Sequence, residues 1–163
     1  NTLLGWLDDL TPNNIKSEFS ESLFNMSKGS DRNLLRVLHY PPVEGEVEQG
    51  AIRAAAHEDI NLITLLVSGS QPGLEAMDMN GVWHKVPVDK GMITVNVGDM
   101  LQMASNKYFP STSHRVVNPE NSKQNVSRFS LPMFMHPRNE VILRPGITAF
   151  DYLQERLKEI NLK

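Results

Sequence analysis

Cysteine is absent from all 163 residues of the chain. That absence removes disulfides, thiolate zinc sites and cysteine nucleophiles together, so any metal must be held by His, Asp or Glu. Charge of one sign is also lacking. The net charge is -3, with acidic and basic residues scattered rather than blocked, which leaves no footprint for nucleic acid or an anionic membrane surface. No apolar run approaches the length of a membrane span, and nothing resembles a charged segment followed by a signal-peptide core. The expectation is a cytoplasmic protein, a setting compatible with the lack of cysteine, with no nucleic acid and no membrane involved. Its oligomeric state is left open.

Hydrophobic residues make up 40% of the chain, enough for one core and little more. The first residue is Asn1, and Leu3, Leu4, Trp6 and Leu7 follow at once as an apolar stretch that needs a packing partner. The chain therefore reads as a fragment of a longer protein. Thr11-Pro12 has the form of an N-cap followed by proline at the first helical position. Ile15, Phe19, Leu23 and Phe24 recur at helical spacing until Lys28-Gly29-Ser30-Asp31.

From Leu34 to Met135 the pattern changes to short strands separated by Gly, Pro and Asn clusters. They are expected at Leu34–Tyr40, Ala54–His57, Asn61–Val67, Leu74–Met79, Val82–Val86, Met92–Val97, Met100–Ala104, Ser113–Val117 and Ser127–Met135. Many short strands without intervening helices favour an antiparallel sandwich or barrel, with a jelly roll as the best single choice. After Arg144-Pro145-Gly146, Thr148 and Asp151 resemble a capping box, and Phe150, Leu153, Leu157 and Ile160 form one apolar stripe. An ordinary helix docked on the barrel is expected there. The loop from Pro41 to Gly50, with Glu44, Glu46 and Glu48, reads as a lid or a solvated connection.

His57-Glu58-Asp59 is the most informative tripeptide. On a strand, residues two apart face the same side, so His57 and Asp59 can grip one ion while Glu58 faces away. His114 is the natural third ligand. Two imidazoles and a carboxylate on one face of an octahedron leave three positions open, which suits Fe(II) in oxygen-activating enzymes. Arg128 and Ser130 also share a strand face, so a guanidinium fork and a hydroxyl can together hold a carboxylate beside the metal. Read singly, such residues are more often ordinary surface or core residues than ligands.

Six ordered blocks resemble the isopenicillin-N-synthase-like branch of the Fe(II)/2-oxoglutarate-dependent dioxygenases. They begin with Leu35-Arg36-Val37-Leu38-His39-Tyr40-Pro41-Pro42, then His57-Glu58-Asp59 through Leu66, then Pro72-Gly73-Leu74-Glu75 with Gly81-Val82-Trp83. Val95 through Gln102, Ser113 through Asn118 and Ser127-Arg128-Phe129-Ser130 complete them. The resemblance implies a mainly β fold, a double-stranded β-helix (cupin-like jelly roll) at 34–145. The residue pattern adds an N-terminal helical segment at 1–30, short beside the longer N-terminal region of relatives, and a C-terminal helix at 147–163. By the same resemblance His57, Asp59 and His114 match the metal triad, Arg128 and Ser130 match the pair that binds the far carboxylate of 2-oxoglutarate, and Tyr40 assists them. The implied cofactors are Fe(II), 2-oxoglutarate as cosubstrate and O2, with ascorbate as an accessory reductant. The implied reaction couples oxidative decarboxylation of 2-oxoglutarate to hydroxylation, desaturation or cyclisation of a small organic substrate.

Three departures stand out. Leu38 occupies the position where many relatives have Asn, the stretch from His114 to Arg128 is longer than usual and reads as an extended hairpin turn through Asn118–Lys123, and the N-terminal region is short. Two alternatives remain: an Fe(II) oxidase of the same fold that does not use 2-oxoglutarate, and a non-catalytic jelly-roll binding module. Met133, Phe134 and Met135 are candidates for an apolar wall, and Arg53, Ala55 and Asn96 for facing substrate. His39, His84 and His136 are assigned structural or surface roles.

Overall fold

The computed structural model describes residues 2–45, 51–67, 69–119 and 125–161. The end of the 41–50 loop and most of the expected turn after Asn118 lie outside these residues. Three short helices open the chain: α1 (Thr2–Leu10), α2 (Asn13–Lys16) and α3 (Leu23–Ser27). The single helix expected after Thr11 is thus broken in two. Ser22 caps α3 through Asn25 N–H, and the Asp8 carboxylate accepts Leu23 and Phe24 N–H at 2.8 and 2.9 Å. These side-chain acceptors compete with continued helix and start a new one instead. Thr11 does not cap; its hydroxyl bonds back to Leu7 O, and Pro12 takes the N-cap position of α2. The apolar start of the chain finds its partner here, since Leu4 packs with Leu23 and Met26 in the core.

The strands are β1 (Leu34–Leu35), β2 (Leu38–Tyr40), β3 (Ala54–His57), β4 (Ile63–Val67), β5 (Leu74–Met77), β6 (Trp83–Lys85) and β7 (Ile93–Val97). After α4 (Asp99–Ala104) come β8 (His114–Val116), β9 (Arg128–Met135), β10 (Ile142–Arg144) and β11 (Ile147–Thr148), and α5 (Ala149–Asn161) ends the described chain. A five-stranded sheet has the order β1-β9-β4-β7 with β2 also on β9, a four-stranded sheet has the order β3-β8-β5-β6, and β10 and β11 pair by themselves. All pairings are antiparallel. The two sheets face each other as an open jelly roll, the mainly β architecture expected.

Two local features set which side chains face inward. Pro132 lies in register with Arg36, and the missing proline N–H leaves only Arg36 N–H to Pro132 O at 3.0 Å. The expected strand Leu34–Tyr40 is therefore split into β1 and β2. In β3 the register against β8 shifts by one residue between Ala54, opposite Val116, and His57, opposite His114. Without that bulge, strict alternation from Ala54 would turn His57 outward; the extra residue re-aims it inward beside His114.

The segment Met100–Ala104, expected as a strand, is the helix α4. Met100, Leu101 and Ala104 are buried at helical spacing, and Met, Leu, Gln and Ala all favour helix. Its first N–H groups are satisfied by the chain that follows the metal tripeptide. Gly98 N–H reaches Leu62 O at 3.0 Å, Asp99 N–H reaches Asp59 O at 2.8 Å, and Met100 N–H is shared by Ile60 O and Asn61 O at 3.2 and 3.1 Å. The main apolar core lies outside the jelly roll, where Leu62, Ile63 and Met135 meet α1, α3, α4 and the β10–β11 hairpin.

The capping box of α5 is present: Asp151 N–H donates to Thr148 Oγ1 at 3.1 Å and Thr148 N–H to Asp151 Oδ2 at 3.2 Å. Its apolar stripe is only partly docked. Leu153 packs on the core, whereas Phe150, Leu157 and Ile160 are exposed. The helix is rotated because Tyr152 OH donates to buried Asp99 at 3.1 Å and Arg156 lies 3.7 Å from the same carboxylate. No helix among the described residues is long and apolar enough to cross a membrane.

A Cβ on Gly98 would lie 2.4 Å from both Asn61 O and Asn61 Oδ1 and 2.8 Å from Asp59 O. Gly98→Ala is expected to destabilise the protein by about 2–3 kcal/mol through overpacking against backbone, measured by urea unfolding. A loss below about 0.5 kcal/mol would show that the 59–62 turn yields easily.

Candidate active site

The bulge brings His57 into the space between the sheets, opposite His114 on β8. Their rings are 4.4 Å apart between centroids. Nδ1–H of His57 donates to Ala55 O at 2.8 Å, and Nδ1–H of His114 to Thr112 O at 3.0 Å. Both imidazoles are thereby fixed in the tautomer that leaves Nε2 with a free lone pair, the form a metal needs. β3 stops at His57, so Asp59 is placed not by strand parity, as expected, but by its backbone bond to Asp99 N–H. Its carboxylate is buried, with Oδ1 at 3.8 Å from His114 Nε2. One ligand atom from each of the three residues lies within 4.8 Å of the others. The set could hold one ion, with two nitrogens and one oxygen on the same side.

Asp59 Oδ2 faces the other sheet. It accepts from Thr64 Oγ1 at 2.6 Å and from Asn96 Nδ2 at 2.9 Å. Thr64 and Asn96 stand opposite one another in the β4–β7 register. Asn96 therefore contacts the carboxylate directly rather than serving only as a face toward substrate. Thr64 was not among the residues singled out from the sequence, because nothing along the chain identifies which residues become neighbours across two strands.

The same cavity extends along β9 past Phe134, Pro132 and Ser130 to Arg128. Arg128 is 1% exposed and Ser130 5%. The guanidinium donates from Nε to Gln71 O at 3.1 Å and lies over the Tyr40 ring at 5.3 Å. Its Nη1 is buried with no hydrogen-bond partner among the described residues. Burial lowers the pKa of Arg128, nearby Arg53 acts the same way, and Tyr40 opposes them. A buried cation with an unused N–H calls for an anion, and a ligand carboxylate would meet that need.

The Met133–Met135 run divides by parity. Phe134 lines the cavity, while Met133 and Met135 belong to the outer core. Arg53 reaches Pro41 O and Val126 O at 3.3 and 3.4 Å. His39 stacks on Phe129 at 4.6 Å, and His84 pairs with Asp78 at 2.8 Å. His136 is half-buried and does not line this cavity.

The family model described as the 2OG-Fe(II) oxygenase superfamily matches residues 31–137. The chain belongs to this superfamily. A Shewanella oneidensis protein assigned as an oxygenase shares 52% identity with a TM-score of 0.88, over 99% of this chain and 59% of that one. A Neurospora crassa protein solved with alpha-KG and thymine shares 32% identity with a TM-score of 0.75, over 86% of this chain and 48% of that one. A 2-oxoglutarate-dependent dioxygenase of Monascus ruber is 37% identical over 115 residues, 68% of this chain and 33% of its own length. The chain thus spans a third to a little over half of these relatives. Fe(II), 2-oxoglutarate and O2 are the cofactors of this oxygenase superfamily, as expected from the sequence.

Glu58 turns away from the cavity toward Asp99, and partial desolvation followed by the Asp99 carboxylate raises its pKa above the ordinary 4.5. A raised carboxyl pKa means the folded protein binds this proton more tightly than the unfolded chain. Stability from this group is therefore full below the ordinary value and declines as pH rises through the raised one. Glu58→Gln is expected to raise Tm near neutral pH and to leave it unchanged near about pH 4. Equal shifts at both pH values in a thermal melt series would contradict the Glu58–Asp99 contact as the cause.

Proposed function

We propose that this chain carries the catalytic centre of an Fe(II)/2-oxoglutarate-dependent oxygenase acting on a small organic molecule, with hydroxylation, desaturation or cyclisation as the outcome. The observation that carries the reading is the pairing, in one cavity, of the His57–Asp59–His114 cluster at one end with the unpartnered Arg128 Nη1 at the other. Nε2 of both histidines and Oδ1 of Asp59 would hold the iron. Arg128, with Ser130 and Tyr40 beside it, would bind the distal carboxylate of 2-oxoglutarate. The iron and oxo acid would supply oxygen activation, converting 2-oxoglutarate to succinate and carbon dioxide while the substrate is oxidised.

The protein's own part is orientation and exclusion of water. Arg128 and Ser130 would hold the far carboxylate of the cosubstrate, and Leu66, Pro132 and Val116 line the cavity as apolar walls. An Fe(II) oxidase of the same fold would retain Arg128 and Ser130 as well, and succinate formation coupled to oxygen uptake separates the two. Residues 34–145 form the catalytic core in this reading, with helical segments at 1–30 and 147–163. A cytoplasmic setting and ascorbate as reductant belong to the same proposal.

Anaerobic titration with Fe(II) and 2-oxoglutarate tests it, through the weak visible charge-transfer band of the chelate. The band should develop in the wild type and be lost in His57→Ala together with metal binding. Its absence with iron bound would remove the cosubstrate assignment. Arg128→Met should keep the Mn(II) affinity within about threefold and weaken 2-oxoglutarate roughly 100-fold, about 3 kcal/mol, for a missing buried charge partner. Isothermal calorimetry of the Mn(II)-loaded proteins measures both; equal 2-oxoglutarate affinities would exclude Arg128 as the anchor.

A further inference from the structure

The two hydrogen bonds on Asp59 Oδ2 come from the sheet opposite its own loop, and both donors have directions that the surrounding contacts determine. Asn61 Nδ2 donates to Thr64 Oγ1 at 2.8 Å, so the Thr64 oxygen accepts there and its hydroxyl proton is directed to Asp59. An ionised carboxylate can only accept, so Asn96 presents its NH2 group. Oδ2 then has both donors committed, while Oδ1 faces His114.

We propose that Thr64 and Asn96 are positioning residues that clamp Asp59 Oδ2 and keep this carboxylate a one-oxygen metal ligand. The inference rests on the reading of Asp59 as a metal ligand. A carboxylate free to rotate can close on a metal through both oxygens and take a further coordination position. Three positions must stay open here, two for the chelating oxo acid and one for O2. With Oδ2 held at 2.6 and 2.9 Å, the second oxygen is withheld from the ion. Both hydrogen bonds come from side chains of the protein itself, so the fold orients the ligand. Thr64 and Asn96 face each other across β4 and β7, so the clamp also ties two strands of the large sheet to a ligand in the loop between β3 and β4.

The test compares Thr64→Val, Asn96→Leu and Thr64→Ser with the wild type and His57→Ala, using Mn(II) and Co(II) alone as probes. Thr64→Val and Asn96→Leu should each weaken Mn(II) binding by roughly 10-fold or more, within the range of about 10–100-fold for lost supports of a metal ligand. Thr64→Ser, which keeps the hydroxyl, should stay within about threefold. The Co(II) absorption spectrum should change in the Val and Leu variants and be restored in the Ser variant, a response that general loosening of the fold would not produce. If both variants keep wild-type Mn(II) affinity and Co(II) spectra while His57→Ala loses the metal, the clamp is overturned and the metal centre stands. A Ser variant as impaired as Val also overturns it. A wild type that binds neither ion overturns the clamp and the metal assignment together.

Discussion

The turn that follows His57 is clasped by the start of α4, and the rest of the site depends on that clasp. Three successive N–H groups, from Gly98 to Met100, bond to the carbonyls of residues 59–62. The N–H groups of a first helical turn have no partner within the helix, and carbonyls of a tight turn have none within the turn. Each set satisfies the other. The arrangement works only if residue 98 has no side chain, because the turn lies where a Cβ would be. Asp59 is thereby held at the mouth of the cavity although it belongs to no strand.

Apolar burial and chemistry occupy different sides of the large sheet. Leu62, Ile63 and Met135 turn to the helices and form the tight core. Thr64, Leu66, Asn96, Arg128 and Ser130 turn to the cavity. The polar members of that second set are costly to bury in isolation. Asp59, Thr64, Asn61 and Asn96 offset part of the cost among themselves through a chain of three hydrogen bonds. Arg128 uses Nε on Gln71 O, and its buried Nη1 has no hydrogen-bond partner among the described residues. The stabilising core thus lies outside the jelly roll, which leaves the interior free to hold small molecules.

Strand alternation explains much of this division but fails at two points that matter. On β9, parity alone places Arg128, Ser130 and Phe134 inward and Met133 and Met135 outward. On β3 it would misplace His57, and only the bulge corrects it. At α5 the apolar stripe is overridden by polar anchors, since Tyr152 and Arg156 on Asp99 rotate Phe150, Leu157 and Ile160 into solvent. At α5 the local pattern yields to the polar contacts of the buried Asp99 carboxylate with Tyr152 and Arg156.

The sequence by itself determined the mainly β class, the approximate positions of most strands, the capping box at Thr148 and the identity of the residues that meet in the cavity. These are local or ordered along the chain: alternation, turn residues, capping chemistry and blocks of fixed spacing. Only the tertiary structure decided that Met100–Ala104 is helix, that a bulge aims His57, and that Thr64 and Asn96 hold Asp59. Each of these depends on pairing between segments far apart in the chain. Register, and not composition, selects which donor meets which acceptor across two sheets.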